Sequence, residues 1–143
     1  MREIVDLVRA HFPSSAPTAE LLDRFGLTET SRRQAGGLSG GERRRLSVAL
    51  AFAGRPRALF LDEPTAGLDV ESRRSVWREV QEYAAGGRTV LLTTHHLEEA
   101  EALASRVVLL TRGRVVADGS PAELSERARA PGVEEAFLAL TEV

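Results

Sequence analysis

Residues 58 to 65 read Ala-Leu-Phe-Leu-Asp-Glu-Pro-Thr, an apolar run that ends in two adjacent carboxylates and a turn-forming proline. A second short apolar run, from Thr89 to Thr93, follows an amphipathic stretch from Val70 to Ala85. Short runs without polar alternation are typical of strands buried on both faces. The order strand, helix, strand therefore predicts a parallel crossover unit and an α/β fold.

The segments on either side of this unit are predicted to be mainly helical. Before it, we expect three helices, at residues 2–11, 18–25 and 39–52. After it, a helix from Leu97 should lead into an antiparallel ribbon at the margin of the sheet, formed by residues 107–110 and 115–117. A capping-box pattern at residues 120–123 predicts that the tail is helical to near Leu140.

Composition indicates one domain and excludes several classes of function. The chain has 143 residues, of which 43% are hydrophobic and 28% charged, and its net charge is −2. Acids and arginines are interspersed and aromatics make up 5%, which argues against nucleic-acid binding. Cysteine is absent from the sequence, so disulfides and thiolate metal sites are excluded. No apolar run approaches membrane-spanning length and no signal peptide is recognisable, so we expect a cytoplasmic protein.

Ser39-Gly40-Gly41-Glu42 predicts the start of a helix that binds phosphate. Serine followed three residues later by glutamate is also an ordinary capping box, and that interpretation stays open. However, each glycine in a helix costs roughly 1 kcal/mol relative to alanine, and a cap has no use for two of them. Glycine does allow an anion to approach bare backbone N–H groups at the positive end of the helix dipole.

Asp62 and Glu63 stand where an apolar strand ends. Successive side chains on a strand point to opposite faces, so the two carboxylates should have different roles. In phosphoryl transfer, Asp62 would hold Mg²⁺, through water, and Glu63 would orient or deprotonate the attacking water. The alternative is an ordinary acidic loop after a strand.

His95 follows the second apolar run and could contact a γ-phosphate. A metal site formed by His95, His96, Glu98 and Glu99 is a competing interpretation, but the spacing does not match a known zinc motif. Residues 43–45 are three consecutive arginines. On a helix they would fan over most of the circumference, which favours a solvated or interface-facing surface over a nucleic-acid site.

With these residues considered together, the sequence resembles the nucleotide-binding domain of ATP-binding cassette (ABC) proteins, from residue 1 to about residue 130. Leu38 to Glu42 resembles the signature motif. Leu59 to Asp62 resembles the Walker B strand, with Glu63 as the catalytic glutamate. Ala66 to Asp69 resembles the D-loop, and His95 resembles the switch histidine. Residues 93–101 and 112–121 are similar to the drug- and antibiotic-export branch.

The resemblance implies a partial P-loop NTPase-type fold, with a mostly parallel sheet flanked by helices. Residues 1–54 would be part of the helical subdomain, and residues 55–143 the C-terminal part of the RecA-like ATPase core. It implies ATP and Mg²⁺ as cofactors, and as partners a second nucleotide-binding domain, in a homodimer or heterodimer, and a membrane permease. The protein would then lie at the inner face of the membrane. The implied site residues are Glu63 and His95 for catalysis, Asp62 for Mg²⁺, and Ser39, Gly40, Gly41, Glu42 and Asp69 for nucleotide binding.

The sequence departs from the family in one large respect. No Gly-x-x-x-x-Gly-Lys-Ser/Thr loop occurs in it, and all 19 basic residues are arginine, so the Walker A strand and loop are absent. In the family, the signature motif of one subunit contacts the nucleotide held by its partner's Walker A loop. We expect the coding sequence to continue upstream in frame, with Met1 as an internal start.

Two functions remain open for the chain. It is either part of the ATPase subunit of a transporter of export type, or a non-catalytic module that lends its signature face to a complete ATPase or needs a separate Walker A half. A DNA-repair relative of the cassette fold is disfavoured, because no coiled-coil heptads or zinc-ligand pairs interrupt the chain.

Overall fold

The computed structural model describes residues 1–141, which form two compact units that divide in sequence between Thr93 and Thr94. In the first unit, helices precede a pair of strands, and a further helix connects the two strands. Its elements are α1 (Arg2–Arg9), α2 (Thr18–Arg24), a short 3-10 turn (Ala35–Gly37), α3 (Gly40–Phe52), β1 (Ala58–Asp62), α4 (Val70–Ala85) and β2 (Thr89–Thr93).

β1 and β2 pair in parallel, which confirms the predicted crossover unit. The register runs from Ala58 opposite Thr89 to Asp62 opposite Thr93. The connecting helix α4 begins after Asp69, whose side chain accepts a hydrogen bond from the Ser72 N–H. Both strands therefore end at the same edge of the sheet, where Asp62 and Thr93 are neighbours.

The prediction that these strands are buried on both faces is wrong. Leu59 and Leu61 are buried, but Phe60 is 75% exposed and Leu91 is 58% exposed. Helix α3 packs against β1 and helix α4 against β2, and within residues 1–141 the opposite face of the pair stays open. An apolar run indicates only that both faces of a strand can be buried. Whether they are buried depends on which helices and strands pack against it.

An aromatic cluster holds the helices of the first unit together. The Phe52 ring packs edge-to-face on Phe25 and Tyr83, with centroid distances of 5.2 and 4.8 Å. Tyr83 also donates a hydrogen bond to the Pro56 carbonyl at 2.6 Å. Arg24 of α2 forms an ion pair with Glu79 of α4, with Nη2 and Oε2 2.5 Å apart. These contacts fix α2 and α3 relative to α4.

The second unit is built around a ribbon of two antiparallel strands. Its elements are α5 (Leu97–Leu103), β3 (Val107–Thr111), β4 (Arg114–Gly119), α6 (Pro121–Ala128) and α7 (Val133–Thr141). Its core consists of Ala100, Val107, Leu109, Ala117 and Leu124. Within the described residues the ribbon forms a sheet of its own, so the predicted position at the margin of a larger sheet is not observed.

The tail is helical to the end of the described residues, as predicted, and it consists of two helices. Ser120 and Glu123 form the expected capping box, and Pro121 is the first residue of α6. However, Arg129 adopts a left-handed conformation with φ of 54°, and Pro131 follows before α7 begins. Both features end a helix, because the helical ladder cannot continue through a left-handed residue or a proline. No helix within residues 1–141 combines the length and the apolar character that crossing a bilayer requires.

Candidate nucleotide site

The start of α3 is a complete capping box. Ser39 is the N-cap, and its hydroxyl accepts a hydrogen bond from the Glu42 N–H at 3.1 Å. In return, Glu42 Oε2 accepts a hydrogen bond from the Ser39 N–H at 2.6 Å. This backbone hydrogen bond lowers the pKa of the Glu42 carboxyl, and the nearby Arg33 guanidinium acts in the same direction. The capping interpretation of the sequence is therefore correct for Ser39 and Glu42.

The cap does not explain the two glycines between them. Gly40 is exposed, and a Cβ atom at this position would meet no atom within 4 Å. A Cβ atom at Gly41 would lie 3.7 Å from Leu68 Cδ2, which is ordinary van der Waals contact. Neither residue has a positive φ angle. Packing and backbone conformation would thus accept alanine at both positions, and the open amides remain available to an anion.

Two of the three consecutive arginines hold this helix start in place. Arg43 Nη1 donates to the Leu38 carbonyl at 2.6 Å, and Leu38 itself is buried. Arg45 Nη1 donates to the Gly26 carbonyl at 3.3 Å, beyond the end of α2. Arg43 is exposed, in agreement with the expected solvated or interface-facing surface, but Arg45 is only half-exposed, and both side chains bind backbone carbonyls of the chain itself.

Asp62 and Glu63 face different environments, as predicted, but for an additional reason. Asp62 is exposed at the end of β1, whereas the side chain of Glu63 is partly buried. Glu63 has a φ of 48°, in the left-handed region that non-glycine residues rarely adopt. Its N–H donates to the Thr93 carbonyl at 3.0 Å, and its carbonyl accepts from the Ala66 N–H at 3.2 Å. The chain therefore turns sharply at Glu63, directly after the exposed Asp62.

The segment after Glu63 returns to the start of α3. Leu68 is buried next to Gly41. Asp69 caps α4, with Oδ1 accepting from the Ser72 N–H and Oδ2 from the Ser72 hydroxyl, both at 2.8 Å. The Ser72 N–H is the main cause of a lowered pKa at Asp69. The structure thus places Leu68 next to Gly41 and gives Asp69 a capping role as well.

The residues present suit Mg²⁺ and a phosphate as parts of a site. Residues 1–141 contain no cluster of three or more His, Asp or Glu side chains that could enclose a metal. Mg²⁺, however, is usually held by one or two carboxylates together with waters and phosphate oxygens. The exposed carboxylate of Asp62 is a donor of that kind, and the amides near Gly40 are donors for phosphate oxygens.

His95 belongs to the second unit and is exposed. Its ring centroid lies 4.1 Å from that of His96, with the planes tilted by 38°. The His96 N–H donates to the Thr94 hydroxyl at 3.0 Å, which shapes the turn into α5. A shared site of His95 and the two carboxylates stays a prediction. The competing histidine metal site does not form within the described residues.

Comparison with known proteins agrees with this arrangement. Residues 3–66 match the family model described as ABC transporter. The chain matches the ATP-binding domain of ABC transporters. A solved structure described as the ATP-binding subunit of an ABC transporter superposes with a TM-score of 0.86 at 27% identity, covering 99% of this chain and 62% of that one.

Curated relatives place the chain near a drug-resistance branch of the ABC proteins. It is 53% identical over 102 residues to daunorubicin resistance ATP-binding protein DrrA2 of Streptomyces coeruleorubidus, covering 71% of this chain and 32% of the relative. It is 44% identical over 110 residues to doxorubicin resistance ATP-binding protein DrrA of Mycobacterium tuberculosis (strain CDC 1551 / Oshkosh), covering 77% of this chain and 33% of the relative. The chain thus spans about a third of each of these ABC proteins.

Sequence reasoning noted Thr93 and Thr94 beside His95 but assigned no role to these two threonines, which end β2 and begin the next turn. The Thr93 hydroxyl donates to Asp62 Oδ1, and its carbonyl accepts from the Glu63 N–H. The Thr94 hydroxyl accepts from the His96 N–H. A usable signal existed, since Asp62 and Thr93 are the last polar residues of two runs predicted to pair in parallel, and the carboxyl ends of such strands meet at one edge.

Proposed function

We propose that the chain carries the signature face and the hydrolytic carboxylates of an ATP-binding subunit of an ABC exporter, coupling ATP binding and hydrolysis to transport. The position of Leu68 next to Gly41, where an added Cβ atom would lie 3.7 Å from Leu68 Cδ2, carries the proposal. It joins an anion-accessible helix start to the segment that follows Asp62 and Glu63. The names of the relatives favour a drug or antibiotic of the daunorubicin type as the exported compound.

Each site residue has a distinct role in this proposal. Asp62 would hold Mg²⁺, through water, and Glu63 would orient or deprotonate the attacking water. The bound Mg²⁺ would supply positive charge to the phosphate oxygens. Ser39, Gly40, Gly41 and Glu42 would present backbone amides to phosphate, with Asp69 beside them. His95 would contact the γ-phosphate.

The main phosphate loop would come from other polypeptide, because these 143 residues include no lysine. A helix N-terminus contributes about 0.3–1 kcal/mol to anion binding, and up to about 2 kcal/mol when partly buried. A millimolar complex already requires about 4 kcal/mol. We therefore expect the isolated chain to bind Mg-ATP no more tightly than about 1 mM, and an isothermal titration that gives micromolar affinity would contradict this expectation.

The partners follow from the same argument. A second nucleotide-binding domain, identical or different, would hold the nucleotide against Ser39 to Glu42. A membrane permease would receive the conformational change, which would place the subunit at the cytoplasmic face of the membrane. The exposed apolar residues Phe60 and Leu91 would be covered by the remainder of the ATPase core.

Mixing experiments test the ATPase function. The 143-residue chain is combined with a polypeptide that contains the Walker A half of a related ATP-binding protein, and phosphate release is measured. We expect ATPase activity from the mixture, and a loss of at least about 100-fold with Glu63→Gln, because the group that acts on the attacking water is removed. Glu82→Gln, an exposed change on α4, is the matched control and should keep the activity. Absence of activity in every mixture would refute the ATPase proposal.

The second candidate is a non-catalytic module that presents its signature face to a complete ATPase. The lack of any lysine in the sequence favours it. In that case, the chain would stimulate a complete partner, and Gly40→Ala would abolish the stimulation whereas Glu63→Gln would leave it unchanged. The response to Glu63→Gln therefore separates the two functions.

A further inference from the structure

We propose that Thr93, the last residue of β2, is a positioning residue that prepares both Asp62 and Glu63; the inference rests on the proposed roles of these carboxylates. Thr93 lies directly opposite Asp62 in the parallel register. Its hydroxyl donates to Asp62 Oδ1, and its backbone carbonyl accepts from the Glu63 N–H at 3.0 Å. One residue therefore contacts two successive acidic residues through two different groups.

The hydroxyl of Thr93 orients the Asp62 carboxylate. A hydrogen bond to Oδ1 restricts rotation of the carboxylate, and because Asp62 is exposed, Oδ2 can face a hydrated cation. Carboxylates that ligate metals are commonly oriented by hydrogen bonds of this kind. The hydroxyl of Thr93 thus limits the orientations that the Asp62 carboxylate adopts before a cation binds.

The backbone carbonyl of Thr93 stabilises the backbone conformation of Glu63. A left-handed conformation at a non-glycine residue costs of order 1–3 kcal/mol and persists where surrounding contacts hold it. The hydrogen bond from the Glu63 N–H to Thr93 is one such contact, and the bond from the Ala66 N–H to the Glu63 carbonyl is another. Asp62 is exposed and Glu63 is partly buried, so that one carboxylate can serve a metal and the other a water.

The two contacts can be separated experimentally. Thr93→Val retains the β-branched shape and the backbone carbonyl but removes the hydroxyl. Thr93→Ser retains the hydroxyl. Thr89→Val is the matched control, since Thr89 begins the same strand, is also exposed, and lies opposite Ala58 at the far end of the pair.

The test uses Mn²⁺ as a metal probe with the 143-residue chain. Titration with Mn²⁺ is followed through paramagnetic broadening of the backbone amide signals around Asp62 in NMR spectra. We expect Thr93→Val to weaken Mn²⁺ binding about three- to tenfold, the range of one modest hydrogen bond. Thr93→Ser and Thr89→Val should remain within about twofold of the original chain. The Glu63 amide should keep its protection from hydrogen exchange in Thr93→Val.

Several results would overturn the inference. These are unchanged Mn²⁺ affinity in Thr93→Val, equal weakening in Thr93→Ser, absence of broadening around Asp62 in the original chain, or loss of Glu63 amide protection in Thr93→Val. The last result would mean that the hydroxyl supports the local fold and does not orient Asp62. Failure of the mixing experiment alone refutes the ATPase function, whereas an unaltered Mn²⁺ titration with intact ATPase activity refutes only the role of Thr93.

Discussion

Replacing Gly40 with alanine should increase the stability of α3 and impair its contact with phosphate. Gly40 is the first residue of α3, its φ is not positive, and a Cβ atom there meets nothing within 4 Å. Alanine is therefore accommodated without strain and restricts the unfolded chain more than glycine does. Substitutions of this kind stabilise a protein by about 0.4–1 kcal/mol.

Urea denaturation followed by circular dichroism measures the first effect. With a slope of about 2 kcal/mol per molar urea, the midpoint should rise by roughly 0.2–0.5 M. Ser47→Ala provides a matched control, because Ser47 is exposed in the same helix and its replacement improves helix propensity without altering the first turn. Both variants should thus be at least as stable as the original chain.

The mixing assay measures the second effect. A methyl group at residue 40 would occupy the space through which an anion reaches the backbone amides, so ATPase activity should fall at least tenfold, a change of about 1.4 kcal/mol. Ser47→Ala should leave the activity unchanged. A lower urea midpoint in Gly40→Ala would show that the position is more crowded than its surroundings indicate, and unaltered ATPase activity would refute the phosphate-binding role of Gly40.

Three further predictions concern stability and solubility. Ser39→Ala and Ser120→Ala should each destabilise the chain by about 1 kcal/mol, because each removes an equivalent capping box, but only Ser39→Ala should also reduce ATPase activity in the mixing assay. The pKa of Asp69 lies below its ordinary value of 3.8, chiefly through the Ser72 N–H, so the stability from this cap is complete above that value and is lost as the pH falls through the lower folded-state pKa. Asp69→Asn should accordingly make the urea midpoint less dependent on pH in the acid range. An identical pH dependence in the original chain and the variant would contradict the capping role of the Asp69 carboxylate. Phe60→Ser should change the unfolding free energy by no more than about 0.5 kcal/mol while lowering both aggregation and the binding of a hydrophobic dye. A loss of unfolding free energy above about 2 kcal/mol would show that the Phe60 ring is covered.

The features that could be predicted from sequence depend on short-range contacts. The boundaries of α3, α4 and α6 were predictable because Ser39, Asp69 and Ser120 each bond a group only three residues away. The parallel pairing of β1 and β2 followed from the crossover helix between them. The open face at Phe60 was missed because it depends on which elements pack against β1. The break at Arg129 was missed although Pro131 is a local signal for the end of a helix.

The candidate site was predicted in its residues but not in its geometry. Asp62 and Glu63 were recognisable at the end of an apolar run. Alternation along a strand, however, explains only part of the difference between their environments. The left-handed turn at Glu63 is held by Thr93, 30 residues further along the chain. Contacts at that separation depend on strand register, which the sequence pattern indicates only in outline.

The backbone conformation of Glu63 has a consequence for mutant libraries of this chain. Glycine, and to a lesser extent asparagine, adopts a φ of 48° more readily than glutamate does. A screen that selects only for yield or heat resistance should therefore enrich such replacements at position 63, and the most stable clones would be the ones that have lost the carboxylate proposed to act on the attacking water.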